Sequence, residues 1–379
     1  MTDDIQPVRS EGAAPQDDGP APHAASAPRR APRRLNQGKR PQSFFAETAE
    51  WGAVLFGRLL LAPLGPLTRS RLVAWLAGRI GPRLWFARRI DENIDLVRPH
   101  YDAETRARIR RGVMATFART AVEYMHLPAL NARAAGFAVE GAEHLEAAKA
   151  AAGGRMVVVS AHYGNWEAVR AIAARHDAPL AIIYRAFNNR RIDDYAFGMI
   201  TSCGWPAFRK GADGSRALLK HLRQDGAALI LVDQRLGGAP YLDFMGAPAE
   251  TSLAAAQLAR KLKAPLLPAC ARREGDGFTV RFEPAIEPSD PVAMSEAVNK
   301  VIESWVDAAP EQWFWLHRRW RRRKKGATLR RTYGREVLER EGLEGEGLEG
   351  EGLEDDGFGA EETPLTGGAT RRTEPLPQE

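Results

Sequence analysis

The sequence predicts an α/β fold in which a mostly parallel central sheet is flanked by helices. Short apolar, β-rich runs follow Gly141, and stretches with helical periodicity lie between them. Strands and helices that alternate at this spacing are typical of a parallel sheet with crossover helices. The predicted strands are 156–160, 180–184, 228–232, 266–269 and 278–282, and the predicted helices are 166–175, 190–201, 214–223, 252–262 and 292–308.

Length and composition are those of a folded protein. The chain has 379 residues, of which 44% are hydrophobic, and this is enough to bury a core. A fibrous or wholly disordered protein is therefore excluded. The two cysteines, Cys203 and Cys270, are too few for a disulfide framework or a Cys-rich zinc site, which favours a reducing compartment.

Charge is distributed unevenly along the chain. The formal net charge is +6, but residues 335–379 contain 14 acidic residues and only 4 Arg, and residues 1–40 carry +2. Because the two ends contribute −10 and +2, the remaining residues 41–334 carry +14. Such a basic folded part indicates an anionic partner. Nucleic acid, an anionic membrane and a phosphorylated small molecule are all consistent with the charge alone.

Both ends of the chain are predicted to be disordered. Residues 1–40 form a Pro-rich arm with basic pairs and without apolar periodicity. Residues 326–379 form an acidic tail that repeats the pentapeptide EGLEG. Dense like charge and a glycine every five residues are incompatible with a stable helix or core. Function is therefore expected between these two segments.

Residues 41–90 are predicted to form membrane-associated amphipathic or anchor helices that precede an α/β domain over 91–325. The run WGAVLFGRLLLAPLGPL is apolar, but Arg58 interrupts it and prolines follow. It is shorter than the roughly 20 apolar residues of a spanning helix. Aliphatic and aromatic residues among arginines fit a segment that lies in the membrane interface. Ordinary core helices are the alternative interpretation.

The sharpest candidate for chemistry is His162, which follows a buried strand in the segment VVVSAHYGNWE. Asn165 is predicted to cap the next helix, with Glu167 in its first turn. Across such a turn the carboxylate of Glu167 can fold back to the imidazole of His162, at the strand end where α/β sheets place their sites. We expect His162 to act as a general base oriented by Glu167. The alternative is that both residues only stabilise the turn.

Other kinds of catalytic centre have weaker support. The sequence has no G-x-S-x-G motif, and Cys203 has no base beside it, which favours direct attack by a substrate hydroxyl over a covalent acyl-enzyme. A zinc site is disfavoured because no third ligand accompanies His162 and Glu167. Near the C-terminal end, a helix is expected from Trp305 to Trp320, with aromatic residues on one face and arginines, including Arg319, available to anions.

Several separated motifs over residues 45–325 resemble one family. The segment SAHYGNWE resembles the H-x-x-x-x-D/E motif of glycerolipid acyltransferases, in the form found in the late acyltransferases of lipid A biosynthesis, which transfer lauroyl and myristoyl chains. IIYRAFNN resembles the family's Y-R-x-x-x-N element, although Ala186 stands where proline is common. The blocks ALILVDQR and PEQWFWLHRRW resemble its D-Q segment and its C-terminal ending.

The resemblance implies a glycerolipid acyltransferase-like fold and an O-acyltransferase. The enzyme would move a fatty acyl chain from acyl carrier protein to a hydroxyl of a lipid A precursor, with His162 as base and Glu167 as its partner. It implies no metal and no cofactor beyond the carrier thioester as co-substrate. The residues implied to bind substrate are Tyr184, Arg185, Asn189, Asp233, Gln234 and Arg235.

The resemblance also implies partners and a location. The partners would be acyl carrier protein, the lipid A precursor and inner-membrane phospholipids, with no nucleic acid. The catalytic domain would lie on the cytoplasmic side of the cell inner membrane. Two alternatives stay open: an acyltransferase that takes acyl-CoA and modifies another polar membrane lipid, and a non-catalytic relative that binds membranes or anions.

Overall fold

The structure is a computed structural model that describes residues 44–320. The predicted arm over 1–40 and the predicted tail over 326–379 lie outside these residues. Nine strands form within the described part of the chain: β1 (Ala138–Glu140), β2 (Met156–Ser160), β3 (Leu180–Tyr184), β4 (Ala207–Arg209), β5 (Ala227–Leu231), β6 (Tyr241–Phe244), β7 (Ala247–Glu250), β8 (Leu266–Glu274) and β9 (Gly277–Phe282).

Seven of the strands form one sheet in the order β1-β9-β8-β2-β5-β3-β4. The five strands from β8 to β4 run parallel to one another. β9 returns antiparallel beside β8 and pairs in parallel with β1. β6 and β7 form a separate antiparallel hairpin. The predicted mostly parallel central sheet is thus confirmed.

Eleven α-helices accompany the strands within residues 44–320. They are α1 (Phe44–Leu60), α2 (Pro66–Ile80), α3 (Arg88–Val97), α4 (Ala103–Tyr124), α5 (Leu127–Ala132), α6 (Ala142–Ala151), α7 (Trp166–Arg175), α8 (Arg190–Thr201), α9 (Ala212–Arg223), α10 (Ala254–Leu262) and α11 (Pro291–Ala308). Short 3-10 turns occur at Gly81–Arg83, Trp85–Ala87, Ala134–Gly136 and Pro310–Gln312.

Helices cover both faces of the sheet, so β2 is buried on both sides. All five residues of β2, with the sequence MVVVS, are inaccessible to solvent. Alternate side chains of a strand point to opposite faces. Val157 and Val159 accordingly pack in the same cluster as residues of α9, α10 and α11, whereas Val158 packs with residues of α7. A continuous apolar run is what burial on both faces requires.

The prediction of a helix from Trp305 to Trp320 is wrong beyond Ala308, where α11 ends. The residue before a proline is forced toward an extended conformation, and Ala309, which precedes Pro310, has φ −151°. The chain then makes one 3-10 turn and continues without helix to Trp320. Trp313, Trp315 and Trp320 are buried in the core instead of lining one helix face.

The N-terminal helices α1 and α2 keep large apolar side chains exposed. α2 packs against α4 at a close approach, where a Cβ on Gly78 would lie only 3.4 Å from the carbonyl oxygen of Arg111. Within residues 44–320, none of the helices combines the length and the apolar character that crossing a membrane requires. Association of residues 41–90 with a membrane stays a prediction. The exposed residues are Phe44, Phe45, Leu55, Phe56, Leu59 and Leu60 on α1 and Leu72, Trp75, Leu76 and Ile80 on α2.

Candidate active site

The register of β2 and β5 brings His162 and Asp233 together. Ser160 pairs with Leu231 at the carboxyl ends of these neighbouring parallel strands. His162 and Asp233 each follow two residues later, so both lie at the same edge of the sheet. The chain leaves β2 toward β3 and leaves β5 toward β8, on opposite sides. A crevice at strand carboxyl ends where connections diverge is the usual ligand site of open α/β sheets.

The imidazole of His162 is held by the carboxylate of Asp233. Nδ1 lies 2.7 Å from Oδ1, and the backbone N–H of His162 donates to Oδ2 over 2.9 Å. An ionised carboxylate only accepts hydrogen bonds, so Nδ1 carries the proton in the neutral ring. Nε2 is then left with a lone pair. Phe314 fixes the same residue from the other side, because its N–H donates to the carbonyl oxygen of His162 over 3.0 Å.

Asp233 is buried and ionised. Besides His162, the indole Nε1 of Trp313 donates to its Oδ2 over 2.8 Å. Burial alone would raise the pKa of the Asp233 carboxyl, but the imidazole of His162 and the hydrogen bonds from His162 and Trp313 bring this pKa below its ordinary value of 3.8. The carboxylate is therefore available to orient the imidazole and to stabilise an imidazolium throughout the neutral pH range.

Nε2 of His162 faces an apolar cleft. The imidazole is about one-fifth exposed at 22%, and the amide of Gln234 donates toward Nε2 over a long 3.4 Å. The ring of Trp166 stands edge-on to the imidazole, with 5.1 Å between centroids. Phe314 and Phe117 stack at 4.9 Å on the other wall. Phe117 is 43% exposed and lines this cleft.

Glu167 does not contact His162, in contrast to the expected pairing. It is fully buried in the first turn of α7, where Oε1 accepts from the hydroxyl of Tyr124 over 2.7 Å and Oε2 accepts from Arg170 over 2.8 Å. Because the chain reverses at Gly164, with φ +55°, the helix starts with its first turn directed into the protein. The motif spacing therefore positions the carboxylate beneath the site instead of beside the imidazole.

An indirect connection nevertheless joins Glu167 to His162. The Tyr124 hydroxyl donates to Glu167 and accepts from the indole Nε1 of Trp166. Trp166 in turn packs against the imidazole. Burial, followed by the charge of Glu167, raises the pKa of Tyr124 well above its ordinary value, so its hydroxyl stays a proton donor. Glu167 thus has the contacts of a residue that positions an aromatic wall.

Two of the predicted substrate-binding residues have mainly structural contacts. Asn189 is buried, caps the N-terminus of α8 by accepting from Arg191 N–H, and donates to the carbonyl oxygen of Glu47 over 2.7 Å. Its polar atoms are therefore committed to the junction of α1 and α8. The guanidinium of Arg235 pairs with Glu250, and its backbone N–H donates to His317 over 2.8 Å.

The other predicted residues lie at strand ends. Tyr184 ends β3, with its hydroxyl 3.5 Å from Asp193, and the exposed side chain of Arg185 follows it. Gln234 lies beside His162, as described above. The register of β3 with β4 pairs Tyr184 with Arg209, so Arg185 and Lys210 emerge from neighbouring strand ends.

Two contributors to the site were missed in the sequence. Lys210 follows β4 beside Arg185, which follows the neighbouring β3, and desolvation by the surrounding protein, followed by the positive charge of Arg185, lowers the pKa of Lys210. Trp313 was assigned to a helix face but is the indole donor to Asp233. β4 has only three residues, so the sequence before Lys210 contains no apolar run from which a strand could be predicted.

The arginine expected at the C-terminal end is not available to anions. Arg319 is fully buried, where it donates to Thr251 Oγ1 over 2.7 Å and packs on Phe244. Burial lowers its pKa to about 10. Within residues 44–320 no group of three potential metal ligands is present.

A mostly parallel α/β sheet that carries a carboxylate-oriented histidine at its strand ends defines a fold and site suited to activating a hydroxyl. A family model of the bacterial lipid A biosynthesis acyltransferases matches residues 40–322. The chain is also 26% identical over 291 residues to a lipid A biosynthesis acyltransferase of Haemophilus influenzae, a match that covers 74% of this chain and 90% of that protein. The chain belongs to the bacterial lipid A biosynthesis acyltransferase family, as its motifs indicated.

Proposed function

We propose that the protein transfers a fatty acyl chain from a thioester of acyl carrier protein to a hydroxyl on an acyl chain of a lipid A precursor. Family membership supports the general reaction. The observation that carries the mechanism is the 2.7 Å contact between His162 Nδ1 and Asp233, which leaves Nε2 as a base facing an apolar cleft. A base oriented in this way suits proton removal from an alcohol.

The proposed reaction proceeds in one direct displacement. Nε2 of His162 takes the proton of the substrate hydroxyl as its oxygen attacks the thioester carbonyl carbon. The carbon–sulfur bond then breaks, and the thiolate leaves with the proton that the imidazolium returns. Asp233 stabilises the imidazolium between these steps, whereas Glu167 acts only through Tyr124 and Trp166. The reaction needs no metal or organic cofactor, since the thioester itself supplies the activated acyl group.

Binding of the polar part of the acceptor is assigned to the neighbouring strand ends. Arg185 and Lys210 follow β3 and β4, which lie on the far side of β5 from His162. Since neighbouring strands are about 4.8 Å apart, these cations lie on the order of 10–15 Å from the base. Guanidinium and ammonium groups at this distance suit the phosphates of a lipid whose acyl hydroxyl reaches Nε2.

The acyl chain is assigned to the cleft beside His162. The free volume there is about 30 Å³, far below the roughly 300–1,000 Å³ of ordinary ligand pockets. We therefore expect the stacked rings of Phe117 and Phe314 to separate when the chain enters.

Membrane contact belongs to the same proposal. The exposed apolar residues of α1 and α2, together with the basic charge of residues 41–334, fit attachment to the cytoplasmic surface of the inner membrane. Inner-membrane phospholipids would be partners of these helices, and nucleic acid would not be a partner.

The test is an acyl-transfer assay with the full chain, acyl carrier protein thioesters and a lipid A precursor. We expect His162→Ala to lower kcat by about 10²–10⁴-fold. His176→Ala is the matched control, because His176 also bonds a carboxylate, Glu146, at 2.9 Å but lies on the surface. Equal activity of His162→Ala and wild type would overturn the mechanism. Transfer only from acyl-CoA to another polar lipid would select that alternative enzyme, and no transfer at all would favour the non-catalytic relative.

A further inference from the structure

A second cavity lies away from the candidate active site, between α2 and α4. Its volume is about 390 Å³, within the range of ordinary ligand pockets. Four arginines line it, together with Gly78, Pro82 and Ala107. The close approach of α2 to α4 at Gly78 brings these arginines together from two helices and from the 3-10 turn that joins α2 to the following segment. The four are Arg79, Arg83, Arg110 and Arg111.

The cavity is positively charged because little in the described part of the chain neutralises it. Arg110 is the one member of the four that pairs with a carboxylate there, Asp91 at 3.1 Å. Arg83 donates to the carbonyl oxygen of Arg79. The guanidinium of Arg79 lies 5.1 Å from the ring centroid of Trp75. The other three guanidinium groups thus have no carboxylate partner among residues 44–320, and they lie at one concave site.

The same end of α2 carries an exposed apolar stripe. Leu72, Trp75, Leu76 and Ile80 recur at the spacing of one helix face and are 43–57% exposed. Arg79 lies among them in sequence and contacts Trp75. A molecule with both a phosphate and a hydrocarbon part would match this neighbourhood, whereas a free anion would use only the arginines.

We propose that the cavity of Arg79, Arg83, Arg110 and Arg111 binds the phosphate group of an anionic membrane lipid while the stripe on α2 contacts its acyl chains. Guanidinium groups bind phosphate oxygens in a bidentate manner, and three of them compensate both charges of a phosphate monoester. The site is separate from the acyl-transfer centre. The inference shares with the proposed function only the contact of the N-terminal helices with a membrane.

The experiment measures sedimentation of the full chain with vesicles at constant ionic strength. Neutral phosphatidylcholine vesicles are compared with the same vesicles containing phosphatidic acid. The test variant is Arg79→Gln/Arg111→Gln, which keeps helix propensity because Gln and Arg are similar helix formers. The control is Arg175→Gln/Arg260→Gln, which removes the same charge from two exposed arginines on other helices.

We expect the test variant to bind phosphatidic acid vesicles roughly 30-fold more weakly than wild type, since two membrane-facing charges are lost. Its binding to neutral vesicles should be unchanged, and the control should lose less than threefold in both cases. Equal losses in the test and control variants would reduce the effect to net charge and overturn the site. If wild type bound neither kind of vesicle, the membrane contact of the proposed function would be refuted as well.

Two further arms separate the other sources of an anionic ligand. Inorganic phosphate is added without vesicles, and its binding is followed by calorimetry. Binding of inorganic phosphate that the test variant loses, with no change in vesicle binding, would assign the cavity to soluble phosphate compounds and overturn the lipid assignment. If the variant lost affinity for acyl carrier protein while its vesicle binding stayed that of wild type, the cavity would be assigned to an acidic protein. The lipid assignment would then be overturned in the same way.

Discussion

At the scale of single residues, the site depends on which nitrogen of His162 carries the proton. Oδ2 of Asp233 already accepts from His162 N–H and from Trp313 Nε1, so only Oδ1 faces Nδ1. This arrangement fixes the proton on Nδ1 and the lone pair on Nε2. The same three donors keep the carboxyl ionised, with its pKa below 3.8.

The first prediction concerns Asp233→Asn. The amide oxygen must occupy the place of Oδ2, where two donors meet, so the NH₂ group faces Nδ1 and forces the proton onto Nε2. We expect kcat to fall by about 10³–10⁴-fold, because the base is then in the wrong tautomer. Acyl-transfer kinetics measure this loss, and ¹⁵N chemical shifts of the imidazole report the tautomer. A variant with wild-type kcat and an Nε2-protonated ring would refute the role of Nε2.

The lowered pKa of Asp233 also has a defined pH signature. A carboxyl whose pKa is lower in the folded than in the unfolded state stabilises the fold above the unfolded value, about 3.9. This contribution is lost as the pH falls through the folded pKa. The part of the stability gap between wild type and Asp233→Asn that comes from this carboxyl should therefore narrow below pH 4.

The second prediction concerns Glu167→Gln. Arg170, which is fully buried, loses the partner of its charge, and removing one member of a buried pair costs about 3 kcal/mol of unfolding free energy. We expect kcat of the folded fraction to fall less than tenfold, because Glu167 acts through Tyr124 and Trp166. Denaturant unfolding and single-turnover kinetics separate the two effects.

Glu146→Gln is the control for this second prediction. Glu146 pairs with His176 on the surface, and its loss should change the unfolding free energy by no more than about 0.5 kcal/mol. A Glu167→Gln protein that is as stable as wild type but loses kcat as severely as Asp233→Asn would contradict a positioning role and restore the direct pairing expected from the motif.

At the scale of elements, the turn between β2 and α7 determines where the functional side chains point. Gly164 has φ +55°, its N–H donates to the carbonyl oxygen of Gln312, and its carbonyl oxygen accepts from Thr120. A Cβ at this position would lie 1.9 Å from the carbonyl oxygen of Ala271. The turn is thus packed between β8, α4 and the segment after α11.

The third prediction concerns Gly164→Ala. The backbone must move to relieve the overlap, so we expect a loss of roughly 2–4 kcal/mol in unfolding free energy and at least a tenfold lower kcat. Gly153→Ala is matched in conformation, with φ +60°, but a Cβ there would meet nothing within 4 Å. It should cost only about 1 kcal/mol and leave kcat intact. Equal effects of the two substitutions would show that close packing at Gly164 is unimportant.

Elements with a strong local signal could be predicted from the sequence. β2, β3, α7 and α8 occur at their predicted boundaries, because apolar runs and caps such as Asn165 are local features. β4 could not be predicted, since three residues give no periodicity. The partner of His162 could not be predicted either. Spacing along the chain pointed to Glu167, whereas the pairing with Asp233 depends on β2 and β5 being neighbours, a fact of strand order that no local pattern reveals.

At the scale of the whole molecule, exposed apolar residues are concentrated on the N-terminal helices. α1 and α2 carry ten of them within residues 44–80, whereas α3 exposes Leu96. Single exposed apolar residues are ordinary on protein surfaces, but such a concentration marks an interaction surface. The sheet and its helices α6 to α11, by contrast, bury most of their apolar residues in three clusters.

The fourth prediction tests this surface with matched leucines. Leu76 on α2 is 47% exposed and Leu96 on α3 is 48% exposed. We expect Leu76→Gln to weaken binding to neutral phosphatidylcholine vesicles by about five- to tenfold, since a hydrocarbon contact is lost. Leu96→Gln should bind as wild type does. Vesicle flotation measures both, and an equal loss in the two variants would contradict a membrane surface on α2.

The segment after α11 has a consequence for the order in which the site is made during synthesis. His162 and Asp233 are translated well before Trp313 and Phe314, which donate to them from the end of the described part of the chain. A nascent chain that ends at α11 contains both residues of the pair but lacks the indole that fixes Asp233 and the amide that fixes His162. The capacity for acyl transfer should therefore be among the last properties that the growing chain acquires.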